Sequence, residues 1–308
     1  MQNIIIIGSG AAGLTAAIYA SRADLAPLLI TGALPGGLLT QTSDVENYPG
    51  FPEAVNGFEL MFKFQQQAEN FGTTIKSDTV EKVDLKAGGP HTLHLASGEA
   101  IKTKALIIAT GASPRWLGLE SEERLKNKGV SACATCDGAF FRDVPVVVVG
   151  GGDTAMEEAI FLTKFASKVI VVHRRDELRA SKIMGDRAMA NPKIEFLWSS
   201  QVVEIIGSKE VEKVKIKSLK DQSETIVEAK GFFSALGHVP NTQIFDGLIE
   251  TDDKGFIKLQ NSSSYTSVDG VFAAGDCADH VYRQAITAAG MGCKAAIDTE
   301  RWLEANSK

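Results

Sequence analysis

The sequence predicts an α/β chain of two Rossmann-like (three-layer ββα) domains, one inserted into the other. Two observations carry this reading. The β-branched run Asn3–Ile7 enters Gly8-Ser9-Gly10-Ala11-Ala12-Gly13 directly and continues as Ala-rich sequence to Arg22. The same order recurs at Val144–Val149, Gly150-Gly151-Gly152-Asp153-Thr154-Ala155 and Met156–Phe165. Each apolar run is too short for a helix and each segment after the glycines has helical spacing, so both read as strand, tight turn, helix. The 308 residues also exceed a usual single domain.

The remaining elements follow in order. Pro27-Leu28-Leu29-Ile30 reads as a second strand. Ala105–Pro114 reads as a buried strand broken by Gly111 and Pro114, suited to a crossing between domains, and Gly237–Asn241 has similar punctuation. Gly270–Asp276 is again strand then turn, leading into a helix from about Gln284 to near Lys308. This last segment has no complete glycine motif, so it is expected to complete the first domain. The expected boundaries are residues 1–115 and 244–308 for the outer domain and 116–243 for the inserted one, with connections near 113–117 and 243–247.

Composition excludes several function classes. A formal charge of -6 opposes a general affinity for nucleic acid or anionic membrane, which needs an excess of Lys and Arg. No apolar run approaches the roughly 20 residues of a spanning helix. Met1–Ile7 lacks a basic start and a long apolar stretch, so no secretory leader is expected and the chain is expected to be cytoplasmic.

The glycine loops point to nucleotide binding. In such a turn the first Gly allows the bend, the second lets the backbone approach a diphosphate, and the third permits close packing of helix on strand. Gly8, Gly10 and Gly13 fit these roles, and the helix N-terminus offers unpaired N–H groups to an anion. The second strand, however, ends in Thr31-Gly32, where an acidic residue usually holds the ribose. In the second unit, Gly150, Gly152 and Ala155 repeat the pattern, and Val169–Val172 runs into His173-Arg174-Arg175 with Arg179 and Lys182 nearby. Guanidinium groups at that strand end favour a 2′-phosphorylated nucleotide, NADPH rather than NADH. Lys182 is accounted for as a solvated charge.

The four cysteines are too few for a disulfide-stapled scaffold. Cys133 and Cys136 lie within one turn of each other, and a helix-initiating pair of this kind favours the thiolate that disulfide exchange requires. A structural zinc site needs four ligands, yet the chain has no second Cys-x-x-Cys and its five His form no closely spaced pair. Asp137 either moves protons to and from the thiols or caps a helix. Cys277 and Cys293 are isolated and read as small buried residues.

Together these motifs, with Glu46–Gly50, Ala109-Thr110-Gly111-Ala112 and Tyr282–Ala285, resemble the low-molecular-weight, bacterial-type thioredoxin reductases over essentially the whole chain. The resemblance implies FAD on the outer domain, held by Gly8, Gly10, Ala11, Ala12, Gly13, Thr31 and Gly32, with Gly36, Gly37, Gln41, Asn47 and Val80 in lining segments. Ala109, Thr110 and Gly111 join them, as do Gly275 and Asp276 near the ribityl chain and Arg283, Gln284 and Ala285 near the flavin. It implies NADPH on the inserted domain, at Gly150, Gly152, Asp153, Thr154, Ala155, His173, Arg174, Arg175 and Arg179. It further implies that Cys136 faces the flavin, that Cys133 attacks thioredoxin, that Asp137 is the acid/base, and that the inserted domain swings between two half-reactions. A homodimer is implied as well.

Two other readings use the same motifs. A related flavin disulfide oxidoreductase serving another dithiol partner is the first, either an oxidase forming disulfides in a small metabolite, against which Arg174 and Arg175 speak because it has no need of NADPH, or a reductase serving a peroxidase domain. A redox sensor without turnover is disfavoured by two intact glycine loops.

Overall fold

The computed structural model describes residues 1–42 and 44–306; Lys308, toward which the sequence extends the last helix, lies outside them. The chain divides into two compact units, Met1–Ser113 with Val239–Lys308, and Pro114–His238. The divisions fall two and five residues ahead of those the sequence suggests. Asn241 explains the second: its N–H donates to the Gly111 carbonyl and its side-chain amide to the Thr110 carbonyl, each at 2.9 Å, which binds it to the first unit.

In the first unit, strand Gln2–Ile7 runs parallel between Leu28–Ile30 and Ala100–Ile108, and Thr74–Lys76 extends the sheet beyond Leu28–Ile30. The long strand Ala100–Ile108 takes both parallel and antiparallel partners within this one seven-stranded sheet. Its first residues pair antiparallel with His91–Leu95, itself paired with Val80–Asp84, while Leu106–Ile108 pair parallel with Val271–Ala273. The C-terminal segment thus completes the first unit.

Alternation along one strand builds the layers. Ile4 and Ile6 pack with Leu14, Ala16 and Ala17 of helix Ala11–Arg22 and Ala295 and Ala296 of helix Ala285–Ala305. Ile5 and Ile7 face the other way, against Val80, Val83, Leu93 and Leu95. All four Ile are buried, each contributing about 1.5–3 kcal/mol.

The second unit repeats the plan. Its parallel sheet runs in the order Ile194–Leu197, Lys168–Val172, Pro145–Val149, Gly231–Ser234, Val130–Ser131. Val146 and Val148 pack on helix Asp153–Leu162, and Val147 and Val149 on the antiparallel strands Ser200–Ile206 and Lys213–Ser218, the latter paired with Glu224–Glu228. Both units are therefore ββα sandwiches whose central strand feeds a glycine turn at its C-terminal end.

Candidate active site: two glycine cradles and a disulfide

In the first unit, the strand ends at Gly8, whose φ of 104° favours glycine, and a Cβ there would stand 2.2 Å from the Ala109 carbonyl oxygen. A Cβ at Gly13 would meet the Gly8 carbonyl oxygen at 1.8 Å. Gly10 alone of the three opens onto free space. It is the N-cap of helix Ala11–Arg22, and it supplies no side-chain cap. The first helical bond, Leu14 N–H to the Gly10 carbonyl at 3.0 Å, leaves the N–H groups of Ala11, Ala12 and Gly13 outside the helical ladder. An open concavity ringed by such donors suits an anion.

Other loops close on this turn. Gly36 N–H donates to the Ser9 hydroxyl at 2.8 Å, which donates in turn to the Thr31 carbonyl at 3.1 Å. A Cβ on Gly37 would stand 3.0 Å from the Gly10 Cα, so the Gly36-Gly37 loop lies beside the cradle. Ser9, which the motif reading passed over, is the stitch among the three segments. Thr31 is buried and its hydroxyl donates to the neighbouring Gly32 carbonyl at 3.1 Å.

Gly275 packs against Ala12, the two coming within 2.9 Å if Gly275 carried a Cβ, and this places Asp276 beside the first turn of the helix. Burial pushes the Asp276 carboxyl up to about 6, helped by Asp279 and opposed by Arg283. Asn47 donates to the Gln284 side chain at 3.3 Å, and Gln284 caps the helix that begins at Ala285 through a reciprocal pair with Thr287. Gln41 is exposed at the end of the short turn Leu38–Gln41. Ala109 N–H donates to the Ile7 carbonyl at 2.8 Å, seating Ala109-Thr110-Gly111 beside the strand end. Val80 is different: its side chain is core, packed with Ile7, Leu28 and Ile30, so only its backbone is available to a ligand. The donors and the open Gly10 fit a dinucleotide diphosphate.

The second unit has an equivalent cradle. Gly152 opens onto free space at the N-cap of helix Asp153–Leu162, again without a side-chain cap, and the first bond runs from Met156 N–H to the Gly152 carbonyl at 3.2 Å. The N–H groups of Thr154 and Ala155 stand outside the helical ladder. A Cβ on Gly150 would strike Ala155 and the Ala235 carbonyl, each at 2.6 Å. Arg174, Arg175 and Arg179 are exposed on the loop after strand Lys168–Val172, whereas His173 is buried. Arg179 N–H donates to the Gly151 carbonyl at 2.7 Å and Ser181 N–H to the Asp153 carboxylate at 2.8 Å. The arginine loop is thereby fastened to the glycine loop, and cations converge with open N–H groups.

Cys133 and Cys136 form a disulfide with Cα atoms 5.3 Å apart. Cys133 is the N-cap of the single turn Ala134–Asp137, and its N–H donates to the Ser131 hydroxyl at 3.0 Å. Cys136 is exposed and Cys133 half-buried. Burial raises the Asp137 carboxyl above its ordinary value, partly offset by a hydrogen bond with Ser131. Asp137 provides no side-chain cap for the turn Gly138–Phe140 that follows. Cys277 is fully buried and its thiol is pushed up to about 11 by desolvation, the state of an inert packing residue. Cys293 departs from the same expectation: it is only half-buried, and the hydroxyl of Tyr19 is hydrogen-bonded to it. Its position on helix Ala285–Ala305 presents it toward Tyr19 rather than into the core.

No helix among the described residues is long and apolar enough to cross a membrane. Two dinucleotide cradles and a Cys-x-x-Cys disulfide in one chain define an oxidoreductase that couples a nucleotide to disulfide exchange. The sequence profile of the pyridine nucleotide-disulphide oxidoreductases matches residues 2–292, and the chain belongs to that family. Within it, the likeness is to bacterial-type thioredoxin reductases. The thioredoxin reductase of Rickettsia felis is 52% identical over 304 residues, covering 98% of each chain, and that of Mycolicibacterium smegmatis 51% over 303 residues, covering 98% of this chain and 97% of the relative. The solved thioredoxin reductase of Giardia duodenalis superposes with a TM-score of 0.93 at 46% identity, covering 98% of both chains.

Proposed function

We propose that this chain is a thioredoxin reductase that draws on NADPH and carries FAD. The observation that supports it best is the Cys133–Cys136 disulfide, built into the same unit as a glycine cradle flanked by Arg174, Arg175 and Arg179. When bound, FAD and NADPH supply the two-electron chemistry that converts this disulfide to a dithiol.

The chain's residues do the rest. The open N–H groups after Gly10 and Gly152 hold diphosphates, Asp276 accepts from a sugar hydroxyl, and the arginines take a 2′-phosphate through paired donors. The Cys133 thiolate attacks one sulfur of the thioredoxin disulfide, forming a mixed disulfide and expelling the other sulfur as a thiolate. Asp137 protonates that leaving thiolate. Cys136, giving its proton to Asp137, then attacks Cys133 Sγ, which restores the Cys133–Cys136 bond and expels the second sulfur of thioredoxin as a thiolate, to which Asp137 passes that proton. One disulfide is thus exchanged for another, and both protons are accounted for. A cytoplasmic homodimer belongs to the same reading.

Purified yellow protein should oxidise NADPH in preference to NADH and reduce a disulfide dye only when thioredoxin is present. Cys136→Ser should abolish dye reduction and leave flavin reduction intact. Equal dye reduction without any protein disulfide would remove the thioredoxin assignment.

A further inference from the structure

Gly151, between the two motif glycines, lies against the edge of the His173 imidazole. A Cβ on it would stand 2.1 Å from Cε1, 2.3 Å from Nδ1 and 2.5 Å from Nε2 of that ring. The imidazole has nowhere to retreat. It is 4% exposed, its edge meets the Trp198 ring with centroids 6.3 Å apart, and Trp198 is stacked on Phe196 at 4.8 Å. On its other side Gly151 is the fastening point of the arginine loop, its carbonyl accepting Arg179 N–H at 2.7 Å and Ala180 N–H at 3.1 Å. The far end of that loop is held separately, by Ser200 N–H to the His173 carbonyl and Ser199 N–H to the Arg175 carbonyl, both at 2.9 Å. One residue without a side chain therefore joins the diphosphate cradle, the buried imidazole and the arginines.

We infer that Gly151, through the imidazole seated against it, determines the preference for a 2′-phosphorylated nucleotide by holding the glycine loop and the arginine loop in one register. The inference rests on the reading of Arg174, Arg175 and Arg179 as the 2′-phosphate site and adds the residue that aims them. A methyl group at position 151 must lift the glycine loop off His173, withdrawing the carbonyl from Arg179 and Ala180, or drive the ring into Trp198. In both cases the guanidinium groups lose their alignment with the cradle, while the cradle's own N–H donors remain. The cost falls on the 2′-phosphate rather than on the common part of the nucleotide. His173 is a positioning residue here, acting through Gly151.

The test is a binding titration of the flavin-loaded protein with adenosine 2′,5′-bisphosphate and adenosine 5′-monophosphate, the ratio of the two affinities being the readout. Gly151→Ala should lower that ratio by about tenfold or more, a loss that misalignment of paired guanidinium contacts would produce. Removing the ring makes room, so Gly151→Ala combined with His173→Ala should give the same ratio as His173→Ala alone, within about threefold; such non-additivity marks direct contact. This second comparison stands even if Gly151→Ala by itself does not fold. A wild-type ratio in Gly151→Ala, or a further tenfold loss on adding it to His173→Ala, would overturn the inference. A wild-type protein with no preference for the bisphosphate would instead remove the 2′-phosphate reading itself.

Discussion

Asp137 donates its backbone N–H to the Cys133 carbonyl at 3.1 Å, so the acid and the first thiol occupy one turn. Its carboxyl is held above the ordinary value by burial, and Ser131 bonds both Cys133 and Asp137. A raised carboxyl keeps its proton to higher pH than an exposed one, and its ability to protonate a leaving thiolate declines as pH rises through that raised value. Asp137→Asn should slow thiol exchange with thioredoxin by about 10²-fold to 10⁴-fold and flatten this decline. Rapid-mixing of the reduced protein with thioredoxin across pH measures both. An unchanged pH profile in the variant would show that the proton comes from elsewhere.

The division of labour between the two sulfurs can be separated by trapping. With Cys136→Ser, the Cys133 thiolate attacks but nothing resolves the product, so a stable mixed disulfide with thioredoxin should accumulate. With Cys133→Ser none should form, although Cys136 is the more exposed of the two. Non-reducing electrophoresis and peptide mapping read the outcome directly. Equal trapping by both variants would mean that exposure, not position in the turn, decides which sulfur attacks.

Asp276 carries a pH signature of its own. Its carboxyl is raised from 3.8 to about 6, chiefly by burial, so between those values the folded flavin-free protein holds a proton that the unfolded chain has released. Stability accordingly falls as pH rises through this window, the reverse of a salt-bridged carboxylate. The penalty is complete above about pH 6 and amounts to at most about 3 kcal/mol. Flavin-free Asp276→Asn should therefore be more stable than the parent near neutrality by up to about 3 kcal/mol and equal to it near pH 4, while retaining flavin less well. Denaturant unfolding at the two pH values, with flavin content measured alongside, gives the comparison. A constant difference across pH would contradict a titrating carboxylate.

The parts of this protein legible in its sequence are those written in consecutive residues. Both glycine cradles, the strands that feed them and the Cys133–Cys136 pair follow from local pattern, because turn geometry and a Cys-x-x-Cys disulfide need only residues close in the chain. What spacing does not record is which distant residue closes each feature. The stitch from Ser9 to Gly36 spans 27 residues, the bond from Asn47 to Gln284 spans 237, and the contact of His173 with Gly151 joins two loops. The outer meander of the second unit was recoverable, since Lys213-Val214-Lys215-Ile216-Lys217 alternates with period two. Its partner Glu224–Glu228 is mostly exposed and offers no apolar face to read. Position 241 set the unit boundary through hydrogen bonds, a signal absent from composition.

Packing of the last helix on the first supplies a contrast within one element. Gly292 and Gly290 both lie in helix Ala285–Ala305, where glycine is unfavourable by about 1 kcal/mol relative to alanine. A Cβ on Gly292 would stand 2.1 Å from the Ala12 carbonyl oxygen, which belongs to the turn of helix next to the diphosphate cradle. A Cβ on Gly290 meets nothing within 4 Å. Gly290→Ala should thus raise stability by about 1 kcal/mol, the propensity gain unopposed. Gly292→Ala should lower it by about 1–3 kcal/mol, because neither helix backbone can yield without separating from the other. Separation would also displace Ala12 and its N–H, so flavin should be lost more readily in that variant alone. Thermal unfolding of the two variants, with the flavin absorbance followed in parallel, decides the matter; matching shifts in both would mean that the close approach of the helices carries no weight.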